Sequence, residues 1–185
     1  MLFNSEGIGG SGDLMHRASF SLVADTGGRI GDVSIPKDAN DSVRTLFEYW
    51  LLMSPDGGLP GGHHFDPTDV PFLLPNTWLI DVHRDPTLFW RRLVGTKIEE
   101  FAGKSPQGGW VADRLNGDRL SSVNRHLTQV VETLRPSWRR GKSLIQFEKK
   151  YSEIERLYLP LAADDETVDM NLAISVIFTK DRQWA

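Results

Sequence analysis

One long amphipathic segment stands between two groups of alternating segments, and this order restricts the fold more than any other feature of the chain. From Asp118 to Arg135, the residues Leu120, Val123, Leu127, Val130, Val131 and Leu134 recur at three- and four-residue spacing. They share one helical face, and Pro136 stops the period. Ahead of this helix, TWLIDVHR (77–84) and TLFWRRLV (87–94) alternate and are joined by Asp85-Pro86, which predicts a hairpin. Behind it lie three further strand candidates, SWRRGKSLIQF, KKYSEIERLYLPL and TVDMNLAISVIF. In the last, Val168, Met170, Leu172, Ile174, Val176 and Phe178 face one way, and Asp169, Asn171, Ala173 and Ser175 the other. An earlier helix is expected after an N-cap at Asp41, where Val43, Leu46, Phe47, Trp50 and Leu51 form a stripe. SPDGGLPGG ends it, and the prolines of DPTDVPFLLP imply an extended path. Hairpins on either side of a run of helices give an antiparallel sheet and the α+β class. Residues 41–180 read as one domain, 1–40 as an irregular extension with a strand candidate at ASFSLVA (18–24), and 181–185 as a tail.

The stretch FWRRLVGTKIEEFAGKSPQGG (89–109) raises the question of phosphate binding, because it is rich in glycine and basic residues. Its spacing answers otherwise. Neither Gly-x-x-x-x-Gly-Lys-Ser/Thr nor Gly-x-Gly-x-x-Gly after a parallel strand occurs. Gly95 turns the chain out of a strand, and Thr96 with Glu99 forms a Thr-x-x-Glu capping box. Ile98, Phe101 and Ala102 give a short apolar face, and Gly103 stands where a left-handed C-cap belongs.

Composition narrows the chemistry. The chain of 185 residues has no cysteine, so disulfides, thiolate metal sites and cysteine nucleophiles are excluded. No apolar run approaches the ~18 residues a membrane helix needs, and MLFNSEGIGGSGD has neither the basic start nor the apolar run of a secretory signal. Net charge is −4, yet residues 84–142 carry twelve Lys/Arg against six Asp/Glu, a surplus of +6 that reads as a solvated basic face. Trp138-Arg139-Arg140-Gly141-Lys142 interleaves aromatic and basic residues, and a basic edge strand that blocks aggregation explains it without nucleic acid.

RRLVGTKIEEFAGKSPQGG is similar to an "RLVGT, small pair, G-x-x-x-x-G" signature, LPGGHHFDPTDVPFLLPNTWLIDV to an "LP…DP-x-D-IP-x-LLP…L-x-DV" opening, and IERLYLPLA with VDMNLAISVIF to a pair of closing strands. Together, from about Leu46 to Phe178, they resemble a bacterial PAS domain family best represented in alphaproteobacteria. The resemblance implies a PAS-like five-stranded antiparallel sheet with helices over one face, a pocket between them and an added N-terminal helix. It also implies a cytoplasmic sensory or regulatory module of signal transduction. The chain ends seven residues after Phe178, so output is expected to pass to a signalling protein partner rather than to a further domain.

The pocket so implied would be lined by the second strand, the helices and the last strands. Trp90, Arg92, Phe101, Trp110, Asn124, His126, Tyr158 and Met170 are its candidate ligand-binding residues. Trp90, Phe101 and Met170 serve equally as plain core, and Ala173 and Ser175 leave room for a ligand or for a close helix. The ligand is an unidentified small molecule, and no cofactor is specified. His63, His64, Asp66 and Asp69 form the one cluster resembling a metal site, but neighbouring histidines point apart in extended chain, so no metal is assigned. No nucleophile elbow or His-Glu-x-x-His occurs, so no catalytic residue is assigned, and a small enzyme using the same pocket or a scaffold without one are the alternatives. Trp50, Leu51, Leu52 and Met53 in a row exceed what one stripe buries, and Phe47, Trp50, Leu51 and Met53 are expected to form a homodimer or partner interface. Neither membrane nor nucleic acid is expected as a partner.

Overall fold

The computed structural model describes residues 34–54, 57–103, 105–114, 117–141 and 151–179. The strand expected at 18–24, the part of SWRRGKSLIQF beyond Gly141 and the tail at 181–185 lie outside them. The elements are α1 (Asp41–Met53), β1 (Thr77–His83), β2 (Leu88–Val94), α2 (Thr96–Ala102), β3 (Gly109–Trp110), α3 (Gly117–Thr133), β4 (Ser137–Gly141), β5 (Tyr151–Leu161) and β6 (Met170–Thr179). All pairings are antiparallel in the order β3-β2-β1-β6-β5-β4. The sheet therefore has six strands rather than five, the addition being the two-residue β3, too short to carry a period.

β6 lies at the centre, and every residue from Asn171 to Ile177 is buried. Strand residues alternate between faces, so both faces must be covered. Register identifies them. Leu79, Leu172 and Leu159 lie side by side on one face, as do Trp78, Ala173, Tyr158 and Ser137 on the other. The first face takes α1, whose Val43, Leu46, Phe47 and Trp50 are buried. The second takes α2 and α3. Phe101 of α2 packs with Ile154 and Ile177, while Val123, Leu127 and Val130 of α3 are buried in the main core.

Two bonds fasten α1. The Trp50 indole donates to the Pro160 carbonyl at 2.8 Å. Beyond Tyr158 no residue of β4 pairs with β5, and proline has no N–H to leave unsatisfied there. At the other end, the backbone N–H of Asn40 donates to Glu155 Oε1 at 3.0 Å, and the Trp138 indole donates to the same oxygen at 2.9 Å. Glu155 is fully buried, and its second oxygen lies 3.9 Å from Arg140 without a hydrogen bond.

Several local expectations change. The N-cap of α1 is Asn40, whose side chain accepts from Ser42 N–H at 2.9 Å, and Asp41 is instead the first helical residue. The Thr96 capping box does not form, because Gly95 is the N-cap and Glu99 accepts from the Ser105 hydroxyl. Gly103 does close α2 in the left-handed region, at φ 72°. Leu134 leaves the α3 stripe. It ends the helix at φ 57° and is exposed. Pro71–Asn76 is a 3-10 helix rather than extended chain, with Pro71 at its first turn, where no N–H is needed.

That 3-10 helix explains Gly95. A Cβ there would fall 2.2 Å from the Leu74 carbonyl oxygen and 2.3 Å from that of Pro75. Both are backbone atoms and cannot swing aside. Gly95→Ala is expected to destabilise the fold by roughly 3 kcal/mol, read as a lower urea midpoint with unchanged slope. Gly141→Ala meets nothing within 4 Å and should be neutral or slightly stabilising.

Candidate functional site

The sheet face beneath α2 and α3 reads as transverse rows, because directly paired residues share a face. Ile80, Asn171 and Pro160 form one row, Trp78, Ala173, Tyr158 and Ser137 the next, then Ser175, Arg156 and Arg139, then Ile177, Ile154 and Gly141. This face mixes polar and apolar groups to an unusual degree for a covered surface. Asn171 is fully buried, and neither its amide nitrogen nor its amide oxygen has a hydrogen-bond partner. Arg156 is 8% exposed, and its Nε has no partner. The Trp78 indole donates to Ser175 Oγ at 3.0 Å. Buried polar groups are nearly always satisfied, so these two residues single this face out as the candidate site.

α3 brings a second set of polar groups against this face. Ser122 and His126 are one turn apart and look onto β4. Ser122 Oγ accepts from Arg139 at 3.3 Å, and His126 Nδ1 lies 3.4 Å from Ser137 Oγ. Burial lowers the His126 pKa to about 4, and the charges of Arg139, Arg125 and Arg156 push the same way. The imidazole is therefore neutral at pH 7. Burial, then Arg156, lowers the Arg139 pKa as well, although a guanidinium keeps its proton.

The eight residues singled out from sequence divide between the two faces. Phe101, Asn124, His126 and Tyr158 lie on the helix-covered side, Phe101 and Tyr158 buried, Asn124 and His126 half-buried. Trp90 and Met170 sit opposite Asp81, on the α1 side of the sheet. Trp110 is the pairing neighbour of Trp90, their rings edge-on at 5.0 Å, and His83 meets Trp110 at the same distance. Arg92 is exposed and holds Asp81 through Nε at 2.8 and 3.0 Å. Those four do not converge with the others: Trp90 and Met170 both pair with Asp81 on the α1 side, Trp110 pairs with Trp90, and Arg92 bonds Asp81.

The expected interface residues are also redistributed. Trp50 is fully buried, and Phe47 stacks on it at 6.1 Å inside the chain's own core. Leu51 and Met53 are half-buried, and the apolar residue of α1 left in solvent is Leu52, at 84% exposure. His63 and His64 do not point apart. A 3-10 turn brings their rings to 3.9 Å, and His64 Nδ1 accepts from Gly61 N–H. Among the described residues no three His, Asp or Glu side chains gather as a metal site. The basic segment at β4 does form a sheet edge, but Trp138 is buried and Arg140 is neutralised by Glu153 at 3.5 Å and lies over the Phe178 ring.

Asn171, Arg139 and Arg156 are candidates that the sequence alone did not single out; for Arg156 and Asn171 the signal lies in IERLYLPL and MNLAISVI, where a charge or an amide interrupts an otherwise apolar run.

Residues 39–175 match the family model described as PAS domain, and the chain belongs to that family. Sheet, covering helices and α+β class agree with it. The family is one of sensory and regulatory modules. No curated protein matches this chain. Among the described residues no helix is long and apolar enough to cross a membrane.

His126 gives the site a pH signature. The folded protein keeps it neutral down to about pH 4, whereas the unfolded chain takes up the proton near the ordinary value of 6.5. The unfolded state thus binds more protons between these values, and stability falls as pH is lowered from about 6.5 to about 4. Urea midpoints measured across that window should decline, and His126→Gln should flatten the decline without lowering the midpoint at pH 7 by more than about 1 kcal/mol.

Proposed function

We propose that this chain is a cytoplasmic PAS sensory or regulatory module that binds a small organic molecule between α3 and the helix-covered face of the sheet. Its state passes to a protein partner through contacts of the module's surface, α1 among them, where Leu52 stays exposed.

The observation that carries the reading is Asn171. Its amide lies at the centre of the fold with four hydrogen-bonding positions and no partner. A side chain of similar size without polar atoms would serve packing better. An unsatisfied buried group costs about 1 to 3 kcal/mol, which a scaffold has no reason to carry. A bound molecule with a donor and an acceptor would remove that cost on binding. Ala173, beside Asn171 on the same face, is small enough to leave space over the strand.

Asn171→Leu tests this. The variant should be more stable than the parent by about 1 to 3 kcal/mol when ligand-free, and it should lose the thermal shift that a hit from a metabolite panel gives the parent. A gain in stability paired with a loss of response separates a binding residue from a structural one. Loss of stability in Asn171→Leu would show that the amide is satisfied in the folded protein and would remove the reading's main support.

A further inference from the structure

The row next to Tyr158 places two positive charges side by side. Arg156 of β5 and Arg139 of β4 are direct cross-strand partners, and like charges so placed repel. The repulsion is not screened by water. Arg156 is 8% exposed and Arg139 half-buried. Among the described residues no carboxylate pairs with either. The ion pairs among the described residues are Arg44–Asp41, Arg92–Asp81 and those of Arg140 with Glu153 and Glu155, none on this face. Glu155 is next to Arg156 in sequence but points to the opposite side, where Asn40 and Trp138 occupy one oxygen.

The surrounding groups are donors or can become donors. Among the described residues Arg156 Nε has no hydrogen-bond partner, and Arg139 bonds the Ser122 hydroxyl. Ser175 Oγ receives the Trp78 indole, so its own O–H is available to donate. Tyr158, in the adjoining row, and Ser137, opposite it on β4, carry further hydroxyls. A partly buried set of donors with net positive charge, and no anionic acceptor among the described residues, is the complement of an anion. The next row is apolar: Ile177 and Ile154 pack with Phe101 of α2. The guanidinium fork matches a carboxylate with two parallel hydrogen bonds.

We propose that this face binds an organic carboxylate, its charged end on Arg156 and Arg139 and its apolar body over Phe101, Ile154 and Ile177. The inference rests on the reading that the module binds a small molecule on this face, and it adds the chemical class. It also explains why Arg156 can be buried at all: the double positive charge of the ligand-free site is halved when a carboxylate occupies it.

The test uses the whole chain, with benzoate and decanoate as probes against benzamide and decanol, in differential scanning fluorimetry and calorimetric titration at constant ionic strength. The carboxylates should give saturable upward shifts that the neutral analogues lack. Arg156→Met should raise the melting temperature of the free protein, through lost repulsion, and weaken carboxylate binding roughly tenfold to a hundredfold. Arg139→Gln, at a half-exposed edge position where folding is less at risk, should weaken it in the same direction. Equal shifts from neutral and charged probes, unchanged in either variant, would overturn the carboxylate assignment while leaving a binding pocket in place. Shifts from neither probe class, together with a lower melting temperature for Arg156→Met, would overturn the assignment and leave the pocket reading to the Asn171 variant. Shifts from inorganic phosphate as large as those from the carboxylates would also overturn the class, since the apolar row would then contribute nothing.

Discussion

The burial of β6 on both faces is the constraint from which the rest of the fold follows. A strand with no exposed residue from Asn171 to Ile177 needs a layer on each side, and the chain supplies α1 for one and α2 with α3 for the other. The same burial draws in the strand's polar residues. Each fully buried Leu or Ile contributes about 1.5 to 3 kcal/mol, and an unpartnered amide costs about 1 to 3 kcal/mol. Leu172, Ile174, Val176 and Ile177 outweigh Asn171 easily. The fold can therefore hold an unsatisfied group at its centre and stay folded.

The two covered faces differ in charge. On the α1 side, acid and base are matched: Glu155 receives two N–H groups, Arg140 bridges to Glu153, and Arg92 holds Asp81. On the α3 side, Arg139, Arg156 and His126 meet hydroxyls and each other. The α1 side leaves Glu155 Oε2 without a hydrogen bond among the described residues, and the α3 side leaves Arg156 Nε and both amide atoms of Asn171 so.

Most of the framework was legible in the sequence. The hairpin at 77–94, the helix ending at Pro136 and the closing strands all carry clear periods, and each is present. What escaped was local or tertiary. β3 is two residues long, below any periodic signal. Pro71 suits the first turn of a 3-10 helix, where no N–H is needed, and Pro75 lies inside the same helix, so the segment is regular where an extended path was expected. Thr96 fits a capping box by spacing, yet Gly95 is drawn under the carbonyls of Leu74 and Pro75 and becomes the cap itself. The eight residues singled out for a pocket are split by the fold: Tyr158, Phe101, Asn124 and His126 belong to the α2 and α3 side, and Trp90, Arg92, Trp110 and Met170 to the other. Alternation tells which residues share a face of their strand. It does not tell which face the helices will choose, and Trp90 pairs with Asp81 on the side taken by α1.

Glu155 and Arg156 stand next to each other on β5 and go to opposite layers. A slip of one residue would send the guanidinium toward Asn40 and the Trp138 indole, two donors that it cannot satisfy, and would turn the carboxylate away from both. The penalty for that error is electrostatic and comes on top of the hydrophobic one. The pair thus acts as a key for strand alignment, and a single-residue insertion or deletion near it should be tolerated far less than one in the loop at 163–167, where every residue is exposed.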